Sequence, residues 1–106
     1  MLRNHITLIG NIGKNAQITN FENGKKIARF NLAINKNYKT NSGAVKSDVE
    51  WHNIFAWGNM ADFIEEYAEK GKRVAVHGKL INRNYFDKNG SKKQITEIEL
   101  KNIIGL

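Results

Sequence analysis

Cysteine is missing from all 106 residues, which excludes a disulfide scaffold, a thiolate zinc site and a cysteine nucleophile. Proline is missing as well, and with it any proline-rich linker. No window approaches the roughly 18 apolar residues of a membrane span, and the opening MLRNHITLIG is too short and too polar for a secretory signal. A cytoplasmic address without a membrane is therefore expected. No glycine loop matches a phosphate-cradling signature and no serine sits in a nucleophile elbow. His5, His52 and His77 are scattered, without the close spacing of a metal motif, so neither a metal nor another cofactor is expected. Arginine is scarce, 4 residues against 13 lysines. An ammonium meets phosphate as a point charge, whereas guanidinium forks read base edges, so the balance leans toward sequence-tolerant backbone binding.

What is present fits one domain. The mass is 12.1 kDa and 41% of residues are hydrophobic, enough for a single core with roughly two thirds of the unfolded chain's surface buried. Mean hydropathy is −0.54, the profile of an ordinary globular chain. The formal net charge is +7 and is unevenly spread. Between Asn59 and Lys70 stand four acids (Asp62, Glu65, Glu66, Glu69) and one base, so the rest of the chain carries 16 bases and 6 acids. A basic body with one acidic element suggests a polyanionic partner, most often nucleic acid.

Turn signals at Asn23-Gly24, Thr40 to Gly43, Gly58-Asn59, Gly71 and Asn89-Gly90 divide the chain into strand-length segments and one helix. The first strand is expected over His5 to Ile12, with a short extended piece at Gln17 to Phe21. In the second, Lys26 to Tyr38, Ala28, Phe30, Leu32 and Ile34 alternate with Arg29, Asn31, Ala33 and Asn35. The third, Val49 to Trp57, puts Trp51, Asn53, Phe55 and Trp57 on one face and Glu50, His52, Ile54 and Ala56 on the other. Met60, Phe63, Ile64, Tyr67 and Ala68 then recur at helical spacing, with Asn59 as N-cap, Asp62 at N3, acids in the first turns and Gly71 as the stop. The fourth strand spans Arg73 to Tyr85 and the fifth Gln94 to Ile104, with Asp87 to Ser91 as the turn. This order predicts an all-β fold with one helix: a five-stranded Greek-key barrel of the OB type, with the helix between strands three and four.

The aromatics need the most explanation. Trp51, Phe55 and Trp57 share a strand face, and Tyr38 and Tyr85 end the two long strands. One reading puts that face in the core, where large rings bury the most area. The other makes it an open platform on which bases stack. Three features favour the platform: Ile54 and Ala56 supply a core on the opposite face, Tyr38 and Tyr85 adjoin polar loops, and Lys36, Lys39, Arg83 and Lys88 flank them. The segments Lys39 to Lys46 and Phe86 to Lys93 are expected as basic loops beyond the barrel. Arg29 and Arg73 are further candidates for phosphate contact, on faces that the sequence leaves open. Asp48 and Glu50 share a strand face and would suit a metal-dependent nuclease, but one carboxylate pair without a histidine cluster is a thin site, and no enzymatic activity is expected.

The run Val49-Glu50-Trp51-His52-Asn53-Ile54, followed by Gly58 and the acidic helix, resembles the motif of bacterial single-stranded DNA-binding proteins. Ile6 to Lys14, Ala28 to Tyr38 and Gly78 to Asp87 match in order and at similar spacing, so the resemblance covers nearly the whole chain, residues 1–106 as one OB domain. It implies sequence-independent binding and protection of single-stranded DNA in replication, recombination and repair. The stacking rings would be Tyr38, Trp51, Trp57 and Tyr85, with Phe55 as a fifth candidate. It further implies a homotetramer, a dimer of dimers, with His52 at a subunit contact and the first strand (His5, Ile6, Leu8) pairing between protomers. Family members usually continue into a flexible linker and an acidic tip that recruits replication and repair proteins. These residues end at Leu106 with neither, so such recruitment is not expected of them. Asn59 and Asn84 stand where the family often has lysine. An RNA-binding OB module and a replisome or primosome accessory subunit are the alternatives to single-stranded DNA binding.

Overall fold

The structure, a computed structural model, describes residues 3–106; Met1 and Leu2, the start of the expected domain, lie outside the described residues. Six strands and one helix follow in order: β1 (Ile6–Ile12), β2 (Gln17–Asn20), β3 (Lys26–Lys39), β4 (Val45–Trp57), α1 (Gly58–Tyr67), β5 (Arg73–Phe86) and β6 (Lys92–Gly105). Three hairpins turn by the same device. In each, the first turn residue donates its N–H to the carbonyl of the fifth and accepts from the fourth, a glycine at positive φ: Phe21 with Gly24 (84°), Thr40 with Gly43 (83°) and Asp87 with Gly90 (80°). That left-handed fourth residue needs glycine, and it closes a three-residue loop without splaying the strands.

The ladder order β1-β5-β6-β4-β3 closes on itself through β1 and β3, with β2 added outside β3. This five-strand closure with α1 between β4 and β5 is the expected OB-fold. The closing seam is short: β1 meets β3 only at Asn11↔Ala33 and Ile12↔Leu32, although it runs beside β5 from Ile6 to Asn11. Ile12, Phe30, Leu32, Ile54, Val74, Val76, Ile98 and Leu100 fill the barrel, and α1 plugs its end with Ala61 and Ile64. No helix among the described residues is long and apolar enough to cross a membrane.

Two expectations are corrected. The anticipated basic loops are largely strand: β3 and β4 stay paired from Ile27↔Trp57 to Lys39↔Val45, and β5 and β6 out to Phe86↔Lys92, so only residues 40–44 and 87–91 turn. Two long arms therefore project from the barrel. The helix is displaced toward the N-terminus relative to its apolar stripe. It starts two residues earlier, behind an extended Trp57 with no side-chain cap, so Asn59 lies inside the helix and the first turn holds no acid. It also stops at Tyr67, because Ala68 leaves to be buried while the Lys70 N–H bonds to Asn15 and the Gly71 N–H to the Ile12 carbonyl (2.8 and 2.7 Å). Backbone committed to the end of β1 cannot continue a helix.

Candidate nucleic-acid interface

Strand register decides which rings share a face. Along β3 and β4 the pairing is unbroken, so Arg29, Asn31 and Ala33 lie on the ladder face of Phe55, Asn53 and Trp51, with Trp57 one pair further on. The parallel pairing Phe55↔Glu99 and the antiparallel pairs Ile81↔Glu97, Arg83↔Ile95 and Tyr85↔Lys93 extend that face across β6 and β5. Trp51, Trp57 and Tyr85 thus project from one face, 56%, 44% and 51% exposed. Arg73 joins the row of Trp51 through Asn11 and Ala33. Tyr38, 50% exposed, belongs to the reverse face, where it pairs with Lys46 near Lys36 and Glu50.

Phe55 departs from expectation. It is 7% exposed, and the Arg29 guanidinium lies 5.6 Å from its ring centroid. Alternation predicts an outward ring, but β4 here is flanked by β3 and β6, so Ile54, Phe55 and Ala56 are all buried and Phe55 offers no open face to a base. Two rings that the alternation did not single out are open instead. Phe86, at the tip of the β5–β6 arm, is the most exposed large apolar side chain among the described residues, and Phe21 packs against Trp57 with ring centroids 6.0 Å apart.

The Trp51 indole rests on backbone. A Cβ at Gly13 would overlap the indole Cζ3 and stand 2.7 Å from Asn31 Oδ1 and 3.0 Å from the indole Cη2. Glycine at position 13 therefore seats the ring. Beyond it, a groove of about 310 Å³ runs between the arms, lined by Lys14, Arg29, Asn31, Asn53, Arg83 and Glu97, among others. Glu97 is 3% exposed and ion-paired on both sides, Oε2 accepting from Arg29 Nη1 and Oε1 lying 2.5 Å from Arg83 Nη2, at an angle short of a hydrogen bond. Alternation in Glu97-Ile98-Glu99-Leu100 marks Glu97 only as an outward residue, and nothing in β6 alone signals two arginines arriving from β3 and β5.

The other cations differ in their engagement. Lys39 and Lys88 are exposed at the arm tips, and Arg73 is exposed at the start of β5. Lys36 Nζ lies 3.2 Å from Glu50 Oε2, and His52 Nε2 lies 3.2 Å from Glu50 Oε1. The hydrogen bond and charge of Lys36, with a smaller pull from His52, hold the Glu50 carboxyl below the usual carboxylate range. Asp48, the other carboxylate of the pair considered for a metal, accepts from the Val49 N–H through Oδ1. Lys26 Nζ sits 2.7 Å from both Asp62 and Glu65, tying β3 to α1, and these bonds, that to Asp62 first, raise its pKa.

The residues considered for subunit contact fall in two places. Ile6 and Leu8 are half-buried on β1, and the exposed His5 beside them has Nδ1 2.8 Å from His77 Nε2. His52 lies on β4 opposite Leu32, away from that end of β1.

Residues 3–105 match the single-strand binding protein family. The chain is 38% identical over 96 residues to single-stranded DNA-binding protein 1 of Chlorobaculum tepidum, covering 90% of this chain and 59% of that protein. To the single-stranded DNA-binding protein of Bacteroides thetaiotaomicron it is 34% identical over 102 residues, covering 94% and 63%. The chain thus spans about six tenths of the length of these relatives. A solved structure of a Plasmodium falciparum single-stranded DNA-binding protein in complex with single-stranded DNA superposes with a TM-score of 0.89 at 38% identity, covering 100% of this chain and 97% of that one.

Proposed function

The chain belongs to the single-strand binding protein family, and from that premise we propose that it binds single-stranded DNA without regard to sequence and without catalysing a reaction. The observation that carries this reading is one ladder face that presents three half-exposed rings, Trp51, Trp57 and Tyr85, together with two arginines, Arg29 and Arg83, that line a groove. Every base has a π-face, so open rings bind bases whatever their identity, at roughly 1–3 kcal/mol per base. Duplex DNA keeps its π-faces stacked away and offers phosphates and groove edges instead. Tyr38 adds a ring on the reverse face of the β3–β4 arm. Lys36, Lys39, Arg29, Arg73, Arg83 and Lys88 meet phosphates and release counterions, which makes binding fall as salt rises.

Assembly completes the proposal. Between Ile6 and Gly10, β1 pairs with β5 on one edge only, and Ile9 is half-exposed there. An open edge with an apolar side chain is a template for a second strand, and closed symmetry satisfies it with a copy of itself. We assign the chain to a homotetramer, a dimer of dimers, that coats single strands in the cytoplasm during replication, recombination and repair.

The test is a titration with a poly-dT oligonucleotide and with duplex of equal phosphate count, followed by tryptophan fluorescence at two salt concentrations. Quenching by the single strand alone, weaker at high salt, is expected. Equal response to duplex, or no quenching, refutes the reading.

A further inference from the structure

The least expected group in the groove is Glu97, a carboxylate withdrawn from water in a site that should attract an anion. A charge buried between two cations is seldom a source of stability, because desolvation offsets the attraction and an apolar residue of similar volume does as well. Its placement has another consequence. Arg29 comes from β3, Arg83 from β5 and Glu97 from β6, so one carboxylate joins strands of both arms across the groove floor. Both arginine side chains remain partly open, 40% and 51% exposed. A guanidinium has five N–H donors in a planar fork, so the edge turned toward Glu97 leaves the remaining donors free for a second anion.

From this geometry we infer that Glu97 is a positioning residue: it holds Arg29 and Arg83 side by side as one preformed clamp for a backbone phosphate of the strand lying in the groove. The inference rests on the single-strand-binding reading above. Two arginines without Glu97 would repel each other and swing outward on long side chains, and ordering them again would cost conformational entropy when DNA arrives. With Glu97 in place that ordering precedes binding. The triad carries one net positive charge, so a single phosphate neutralises it.

Charge counting and positioning predict opposite signs for Glu97→Gln. The substitution keeps the shape and removes one negative charge from the binding groove. If Glu97 merely quenches the arginines, binding to a dT oligonucleotide tightens and its salt dependence steepens. If it positions them, the amide NH2 group repels one guanidinium, affinity at low salt falls about tenfold, and the slope of log K against log salt becomes shallower by about 0.7, one phosphate contact on a single strand. Far-ultraviolet circular dichroism and the melting temperature establish that the variant is folded. Should Glu97→Gln not fold, Arg83→Lys decides the matter: the charge is unchanged, but an ammonium drawn onto Glu97 has no second edge to offer. Weaker binding supports the clamp, and unchanged affinity overturns it. A wild-type protein that fails to bind the oligonucleotide at all overturns the proposed function and this inference together, whereas tighter binding by Glu97→Gln overturns the inference alone.

Discussion

Gly13→Ala separates the seating of a ring from the stability of the barrel. Gly13 lies outside the left-handed region, so alanine meets no backbone penalty there; what it meets is the Trp51 indole and Asn31 Oδ1. The indole is more than half exposed and free to swing outward, and two stability terms oppose each other: some ring contact is lost, while replacing glycine stiffens the unfolded chain by about 0.4–1 kcal/mol. The melting temperature should therefore move by only a few degrees. Binding should suffer more, because a displaced Trp51 forfeits stacking worth roughly 1–3 kcal/mol for one base, or about 5- to 150-fold in affinity. The assay is a dT-oligonucleotide titration followed by anisotropy, alongside the emission maximum of the free protein, which should shift to the red as the indole leaves Gly13. Gly10→Ala is the contrast. A Cβ there overlaps the backbone carbonyl of Ala33, which cannot swing away, so stability falls first. Unchanged affinity and unchanged emission in Gly13→Ala would refute the assignment of Trp51 as a seated stacking ring.

Glu50→Gln frees Lys36 and removes a negative charge from the reverse face of the β3–β4 arm, so affinity for a single strand at low salt should rise roughly two- to fivefold, and no gain would show that Lys36 takes no part. The Glu50 pKa is lowered on folding, so its contribution to stability is complete above the unfolded carboxylate value and is lost as the pH falls through the folded one; in urea melts across the acid range Glu50→Gln should flatten that limb. Lys26 has the opposite sign: its raised pKa gives a contribution present below the unfolded ammonium value and lost as the pH rises through the folded one, so Lys26→Met should flatten the alkaline limb. Ile64→Ala leaves a cavity where α1 plugs the barrel and should cost about 2–5 kcal/mol, roughly 10 °C or more in melting temperature. A smaller loss would mean that the helix closes over the gap.

The strands and the helix were legible because their periods come from local burial: Ala28-Phe30-Leu32 alternates inward along β3, and Met60, Phe63, Ile64 and Tyr67 recur along α1. Helix ends were less legible. Asn59 is a good cap residue, but Trp57 stands at the boundary, and the early stop at Tyr67 depends on hydrogen bonds to Asn15 and Ile12, more than fifty residues away. The candidate site divides in the same way. Trp51 and Trp57 could be placed by alternation and Tyr85 by its position at the end of a long strand, and the three lie on one face, whereas Phe55 obeys the same alternation and is buried by β6, a strand forty residues downstream. Glu97 was illegible because its meaning lies in Arg29 and Arg83, each on a different strand.

The two faces of the β3–β4 arm also constrain the route of a bound strand. Trp51 and Trp57 occupy one side of this ladder and Tyr38 the other, and a two-stranded ribbon, however twisted, has no passage between its sides except around an edge. A polynucleotide that stacks on all of them must double back over the arm. More nucleotides are then taken up than the straight separation of the rings requires, and the two ends of an occupied segment emerge closer together than the same segment held on a flat surface.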